Sequence, residues 1–229
     1  MIRYLVLHLA GPLQAWGDNS RFDLRETLPF PTKSGICGIL LAASGDPGPQ
    51  CELLERLAEA QLTVFSIGEK HAKMHDFHMV GNGYDDSDKW QKLNAPKKSD
   101  GTTPVGGGAR LTHRYYLQDM EFWAVYALPA DLAEKFAAAL QDPVFDLYLG
   151  RKNCVPTAMI YGGLFDSNEA AYCLIRDSID NSAPVSMIRD ADHNDDESFY
   201  LNDIPVQFGV HKRYRDRCVV NEPFSFETL

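Results

Sequence analysis

No Cys-x-x-Cys pair occurs in the 229 residues: the five cysteines, Cys37, Cys51, Cys154, Cys173 and Cys218, are odd in number and widely spaced. That pattern argues against a disulfide framework and a zinc ribbon, and it fits buried thiols in a reducing cytoplasm. Long hydrophobic runs are also missing. The apolar stretch at 4–10 is too short to span a bilayer, contains His8, and reads as a strand rather than the hydrophobic region of a signal peptide, so no export is implied. Nor is there a Walker A loop, since Lys33 follows a threonine and the upstream glycine is absent, which argues against a P-loop nucleotidase.

Positive charge is scarce, 22 Lys and Arg against 32 Asp and Glu, for a net charge of −10. As an average this argues against nucleic acid, because nonspecific binding rests on cations displacing counterions from phosphates. The average hides a segregation. Ten acidic residues face two basic ones between Asp166 and Asp203, while basic residues gather at 110–114, at Arg151-Lys152 and at 211–217. The acidic stretch is either a solvated loop or a surface that faces a partner or repels stray RNA.

With 45% hydrophobic residues the chain can bury a substantial core, as one large domain or one domain with an appendage. Residues 2–9 alternate Leu5, Leu7 and Leu9 with Tyr4, Val6 and His8, the mark of a strand. Pro29 and Pro31 keep the next segment extended, Thr32 is an N-cap, and Ile36, Ile39, Leu40 and Ala43 share one face of a helix starting near Lys33. Its free N–H groups, its dipole, Lys33 and the Ser34 hydroxyl would converge with the loop at 10–17 on a site suited to phosphate. The same capping signals also open many helices that hold no ligand.

A second helix is predicted at 52–60 and a strand at 62–67. Residues 81–109 carry almost no apolar pattern beyond Trp90 and Leu93 and read as an insert. A hairpin is expected from 111–117 and 121–128 with a turn near Asp119, then a helix opened by Pro129 and stopped by Pro143, then a strand at 145–149. The order strand, helix, strand, strand, helix, strand is ferredoxin-like. Short apolar segments at 172–175, 185–188, 206–210 and 217–220 suggest added β structure. The expected class is therefore α+β, a ferredoxin-like domain over 1–150 with a C-terminal β-rich extension over 151–229.

Three blocks carry a resemblance. They are Tyr4-Leu5-Val6-Leu7-His8-Leu9-Ala10-Gly11-Pro12-Leu13-Gln14-Ala15-Trp16-Gly17, Phe30-Pro31-Thr32-Lys33-Ser34-Gly35 and Tyr148-Leu149-Gly150-Arg151-Lys152-Asn153-Cys154. In this order they resemble the CasD family of RAMP proteins, subunits of type I-E CRISPR Cascade complexes that hold the 5′ handle of the guide RNA. The likeness is clear to about residue 166. It implies an RRM-like (ferredoxin-like) RAMP fold, a thumb at about 81–109 reaching across the RNA, and no cofactor. Implied partners are guide RNA, the backbone subunit CasC, the large subunit CasA and, through the assembly, target DNA.

On this resemblance Gln14, Trp16, Thr32, Lys33, Ser34, Tyr148, Arg151 and Lys152 would clamp the handle, while Arg110 and Arg114, with Trp90, Tyr115 and Tyr116, would serve the thumb by pairing cations with stacking faces. Two other classes stay open. Type I-C relatives cut repeat RNA without metal, and His113, Tyr115 and Lys33 are the candidates for that metal-independent endoribonuclease chemistry. A cytosolic anion-binding enzyme would instead use the helix at Lys33. His71, His75 and His78 have the spacing of a helical zinc site, but they follow a strand and lack a closing ligand, so no metal is expected.

Overall fold

The N-terminal alternation builds the strand around which the sheet grows. In the computed structural model, which describes residues 1–17, 23–69, 73–80, 98, 100–102, 110–180, 182–192, 195 and 197–226, β1 spans Ile2–Gln14. Leu5, Leu7 and Leu9 are fully buried on one face of it and Val6 on the other. β1 is central, paired antiparallel with β5 (Arg110–Pro129) on one side and β6 (Tyr161–Phe165) on the other. Beyond β5 the sheet continues through β3 (Gln61–Ile67), β7 (Val185–Asp190), β9 (Arg213–Phe224) and β8 (Ser198–Gln207), giving the order β6-β1-β5-β3-β7-β9-β8. The far half of β5 pairs with β4 (Met74–Val80) and, in parallel, with the short β2 (Leu24–Arg25).

Four helices among the described residues cover this sheet. α1 (Lys33–Ser44), α2 (Cys51–Glu59) and α3 (Ala130–Gln141) share a core with Leu5, Leu7 and Leu9 through Ile36, Leu40, Leu54, Leu57 and Phe136. α4 (Asn168–Ser178) packs on the other face, where Ala171, Tyr172 and Ile175 meet Val6, Phe65 and Trp123. The result is a mixed α/β molecule with a large, mainly antiparallel sheet. None of these helices is long and apolar enough to cross a membrane.

Three expectations need correction. The hairpin around Asp119 is one continuous strand, because Asp119 adopts φ 47° without ending it. In the register Asp119 falls opposite Pro12, between the pairs Gly11–Met120 and Leu13–Gln118, and Pro12 has no N–H to donate to it. Long-range pairing with β1, β3 and β4 overrides the local turn signal. Residues 145–149 form no strand; β6 occupies the place beside β1 instead, beyond residue 150. The segment at 172–175 lies inside α4, whose start is fixed by the Ser167 hydroxyl accepting from the Ala170 N–H at 3.2 Å. The proposed thumb at 81–109 falls almost wholly outside the described residues, as do Trp90 and His71.

Candidate functional site

The three sequence blocks converge at the start of α1. Thr32 accepts from the Gly35 N–H at 3.1 Å and so caps the helix. The loop after β1 is held by the Trp16 N–H on the Thr27 hydroxyl and by the Leu28 N–H on the Trp16 carbonyl, both at 2.8 Å. This lays the Trp16 ring on the first helical turn, where a Cβ at Gly35 would stand 2.8 Å from it. From the side, the Ala15 N–H donates to the Leu149 carbonyl at 3.0 Å, and Gly150 follows with φ 92°. Any Cβ at Gly150 would overlap the Ala15 carbonyl oxygen.

A groove of about 500 Å³ opens between these elements. Trp16, Ser34 and Tyr148 line it from the sequence blocks and Gly38 from α1; Phe208, Lys212 and Tyr214 complete it from the end of the β8–β9 hairpin, and Asp146 also lines it.

The N-terminus of α1 itself is already occupied. Its Lys33 N–H donates to Asp203 Oδ2 at 2.8 Å, and Asp203 is buried and gripped by Arg217 through Nε at 2.7 Å and Nη2 at 2.9 Å. Arg217 also donates to Asp190 at 2.8 Å. Burial pulls the Arg217 guanidinium down, but the paired carboxylates more than offset this and hold it above its ordinary value. Part of the acidic segment thus serves internal pairing, as do Asp195 and Glu222 with Arg189.

Lys33 was expected to face a phosphate, yet it is 1% exposed. Its ammonium donates to the carbonyls of Ala58 at 2.8 Å and Ala60 at 2.6 Å, capping the end of α2, and burial holds its pKa below the usual lysine value. Gln14 is also buried. Its amide donates to the Leu9 and Met120 carbonyls and accepts from the Trp16 indole, so it supports the loop from within. Arg151 is a third brace: it lies 4.6 Å over the Tyr116 ring and donates to the carbonyls of Tyr115 and Arg25.

Of the expected RNA-holding residues, the groove therefore brings together Trp16, Thr32, Ser34 and Tyr148, with Trp16 and Thr32 buried in its wall and Ser34 and Tyr148 partly exposed to it. Lys152 is exposed outside it. Arg114 lies opposite Asp76 on the β4–β5 ribbon, and Arg110 opens β5 opposite Val80. Asp203 and Arg217 were missed, because nothing local marks one carboxylate in an acidic run as a helix cap. Lys212 and Tyr214 belong to the basic run at 211–217, whose local pattern suits RNA contact and the protective charge of a hairpin edge equally.

The alternative catalytic set is not assembled. His113 sits with Tyr115 at one end of β5, its Nδ1 2.9 Å from His75 Nε2, and the His75 ring stacks on Tyr115 at 4.7 Å. Lys33 lies by Tyr126, toward the other end of the strand. Among the described residues no group of three His, Cys, Asp or Glu side chains is placed to hold a metal.

Comparison with known proteins gives a consistent result. The family described as CRISPR-associated protein (Cas_Cas5) matches residues 4–219. The CRISPR system Cascade subunit CasD of Escherichia coli (strain K12) is 29% identical over 187 residues, spanning 76% of this chain and 77% of that protein. A chain of a solved CRISPR RNA-guided surveillance complex superposes with a TM-score of 0.75 at 28% identity, covering 96% of this chain and 89% of that one. A crystal structure of a Cas protein matches with a TM-score of 0.68 at 26% identity over 99% and 97% of the two chains.

Proposed function

The chain belongs to the CRISPR-associated protein (Cas_Cas5) family, and from that premise we propose that it is a noncatalytic RNA-binding subunit of a CRISPR Cascade surveillance complex, holding the 5′ handle of the guide RNA. The observation that carries this reading is the convergence of the three blocks on one groove, where aromatic, hydroxyl and ammonium groups from Tyr148, Tyr214, Ser34 and Lys212 meet and the buried Trp16 forms part of the wall. Single-stranded RNA is held by such groups, with bases on aromatic faces and phosphates on cations. In this reading β6-β1-β5-β3 is the sheet of a ferredoxin-like RAMP unit, the C-terminal strands form its β-rich extension, and residues 81–109 supply the thumb. CasC and CasA are its protein partners and target DNA reaches it through the assembly. The separation of Lys33 from His113 favours the noncatalytic reading over the endoribonuclease.

The test is one incubation of the purified chain with labelled CRISPR repeat RNA in EDTA, divided between filter binding and a denaturing gel. Intact RNA retained through its handle portion is the expected result. Specific cutting that disappears in His113→Ala would replace this reading with the endoribonuclease.

A further inference from the structure

The groove holds one carboxylate and one ammonium that do not pair with each other. Asp146 and Lys212 are both exposed and both line it, and neither has a hydrogen-bond or ion-pair partner among the described residues. The internal charges around the groove behave differently: Asp203, Arg217 and Lys33 are each engaged by internal partners at 2.6–2.9 Å. Opposite charges left free at separate points of one cleft suit a ligand that offers an anion at one end and hydrogen-bond donors at the other. Part of the groove wall is bare. A side chain added at Gly38 would meet nothing within 4 Å, and Ser34 and Gly35 add little bulk. Its volume lies within the roughly 300–1,000 Å³ of clefts that take small ligands.

Resting on the RNA-binding reading above, we infer that the groove takes a single unstacked nucleotide with an amino-bearing base, and that Asp146 is the residue that selects it. Lys212 meets the phosphate, Tyr148 and Tyr214 offer ring faces to the base, and the Asp146 carboxylate accepts from the donor edge. Guanine suits a carboxylate best, because N1–H and the N2 amine are adjacent donors for its two oxygens. Uracil presents one N–H between two carbonyl oxygens, which the carboxylate repels.

The test uses the full chain and fluorescence anisotropy with two labelled eight-nucleotide RNAs, all uridine or with one central guanosine, at low salt. The parent should prefer the guanosine strand about tenfold, as expected for a carboxylate reading a base edge. Asp146→Asn should remove most of that preference, since an amide both donates and accepts. Lys212→Ala should weaken both strands alike and reduce the slope of log affinity against log salt by about 0.7. Gly38→Leu, which fills the bare part of the wall and raises helix propensity, should weaken both strands while leaving the circular dichroism spectrum unchanged.

Equal affinity of the parent for the two strands, or a preference that survives Asp146→Asn, overturns the assignment of Asp146. The RNA-binding reading then still stands if Gly38→Leu weakens binding. RNA binding that is indifferent to Gly38→Leu overturns the placement of RNA in this groove, and a parent that binds neither strand overturns the RNA-binding reading itself.

Discussion

Asp203→Ala should be among the most damaging single substitutions in the chain, although the residue lies far in sequence from the helix it supports. The change removes two hydrogen bonds from Arg217, at 2.7 and 2.9 Å, and the acceptor of the Lys33 N–H at 2.8 Å. Arg217 keeps its bond to Asp190 but has only 6% of its side chain exposed, so water cannot replace the lost carboxylate. Breaking a buried pair from one side costs about 3–5 kcal/mol. Losing a helix cap adds about 1 kcal/mol. Since Asp190 remains and neighbouring losses do not add fully, about 4 kcal/mol is expected.

Urea denaturation followed by circular dichroism measures it, with Asp203→Ala/Arg217→Met as the second arm. Removing the stranded guanidinium should restore at least about 2 kcal/mol, because an apolar pair is a tolerated replacement for a buried ion pair. A single variant within 1 kcal/mol of the parent, or a double variant no better than the single, would refute the claim that this network pins the C-terminal hairpin to α1.

Other consequences follow from the braces. Arg151→Ala should lower stability by about 2 kcal/mol through loss of the Tyr116 stacking and the carbonyl hydrogen bonds, and Arg151→Lys should recover little of it because an ammonium lacks the planar fork; thermal denaturation compares the two. Gly150→Ala should destabilise by more than about 3 kcal/mol or prevent folding, since both its φ of 92° and the Ala15 carbonyl oppose a Cβ; expression and denaturant midpoint report it. Lys33 has a folded pKa below its unfolded value, so the unfolded chain binds more protons between the two. Parent stability should therefore rise relative to Lys33→Met as pH climbs through the folded pKa toward about 10.4, and a stability difference that stays flat over pH 7–10 would contradict its buried ammonium.

Much of the helix and strand pattern was legible because it is written in local signals. Thr32 and Pro129 marked helix starts, and Ile36, Ile39, Leu40 and Ala43 a buried helix face, that the structure keeps. The failures came where a distant partner overrode a local cue. Asp119 looked like a turn until β1 supplied Pro12 opposite it. Lys33 looked like an anion ligand because nothing nearby in sequence reveals that α2 ends with two carbonyls aimed at it, or that Asp203 already holds the helix N–H. Arg151 followed the same rule: a cation after a glycine reads as free until the Tyr116 ring and the Arg25 carbonyl are in place around it.

The measurement that reaches the central claim most directly is ultraviolet crosslinking of the chain to single-stranded guide RNA, with the attached peptides identified by mass spectrometry. Crosslinks concentrated on the peptides carrying Tyr148 and Tyr214 are expected. Crosslinks confined to the β4–β5 ribbon around His75 and His113, with none at the groove, would contradict the account.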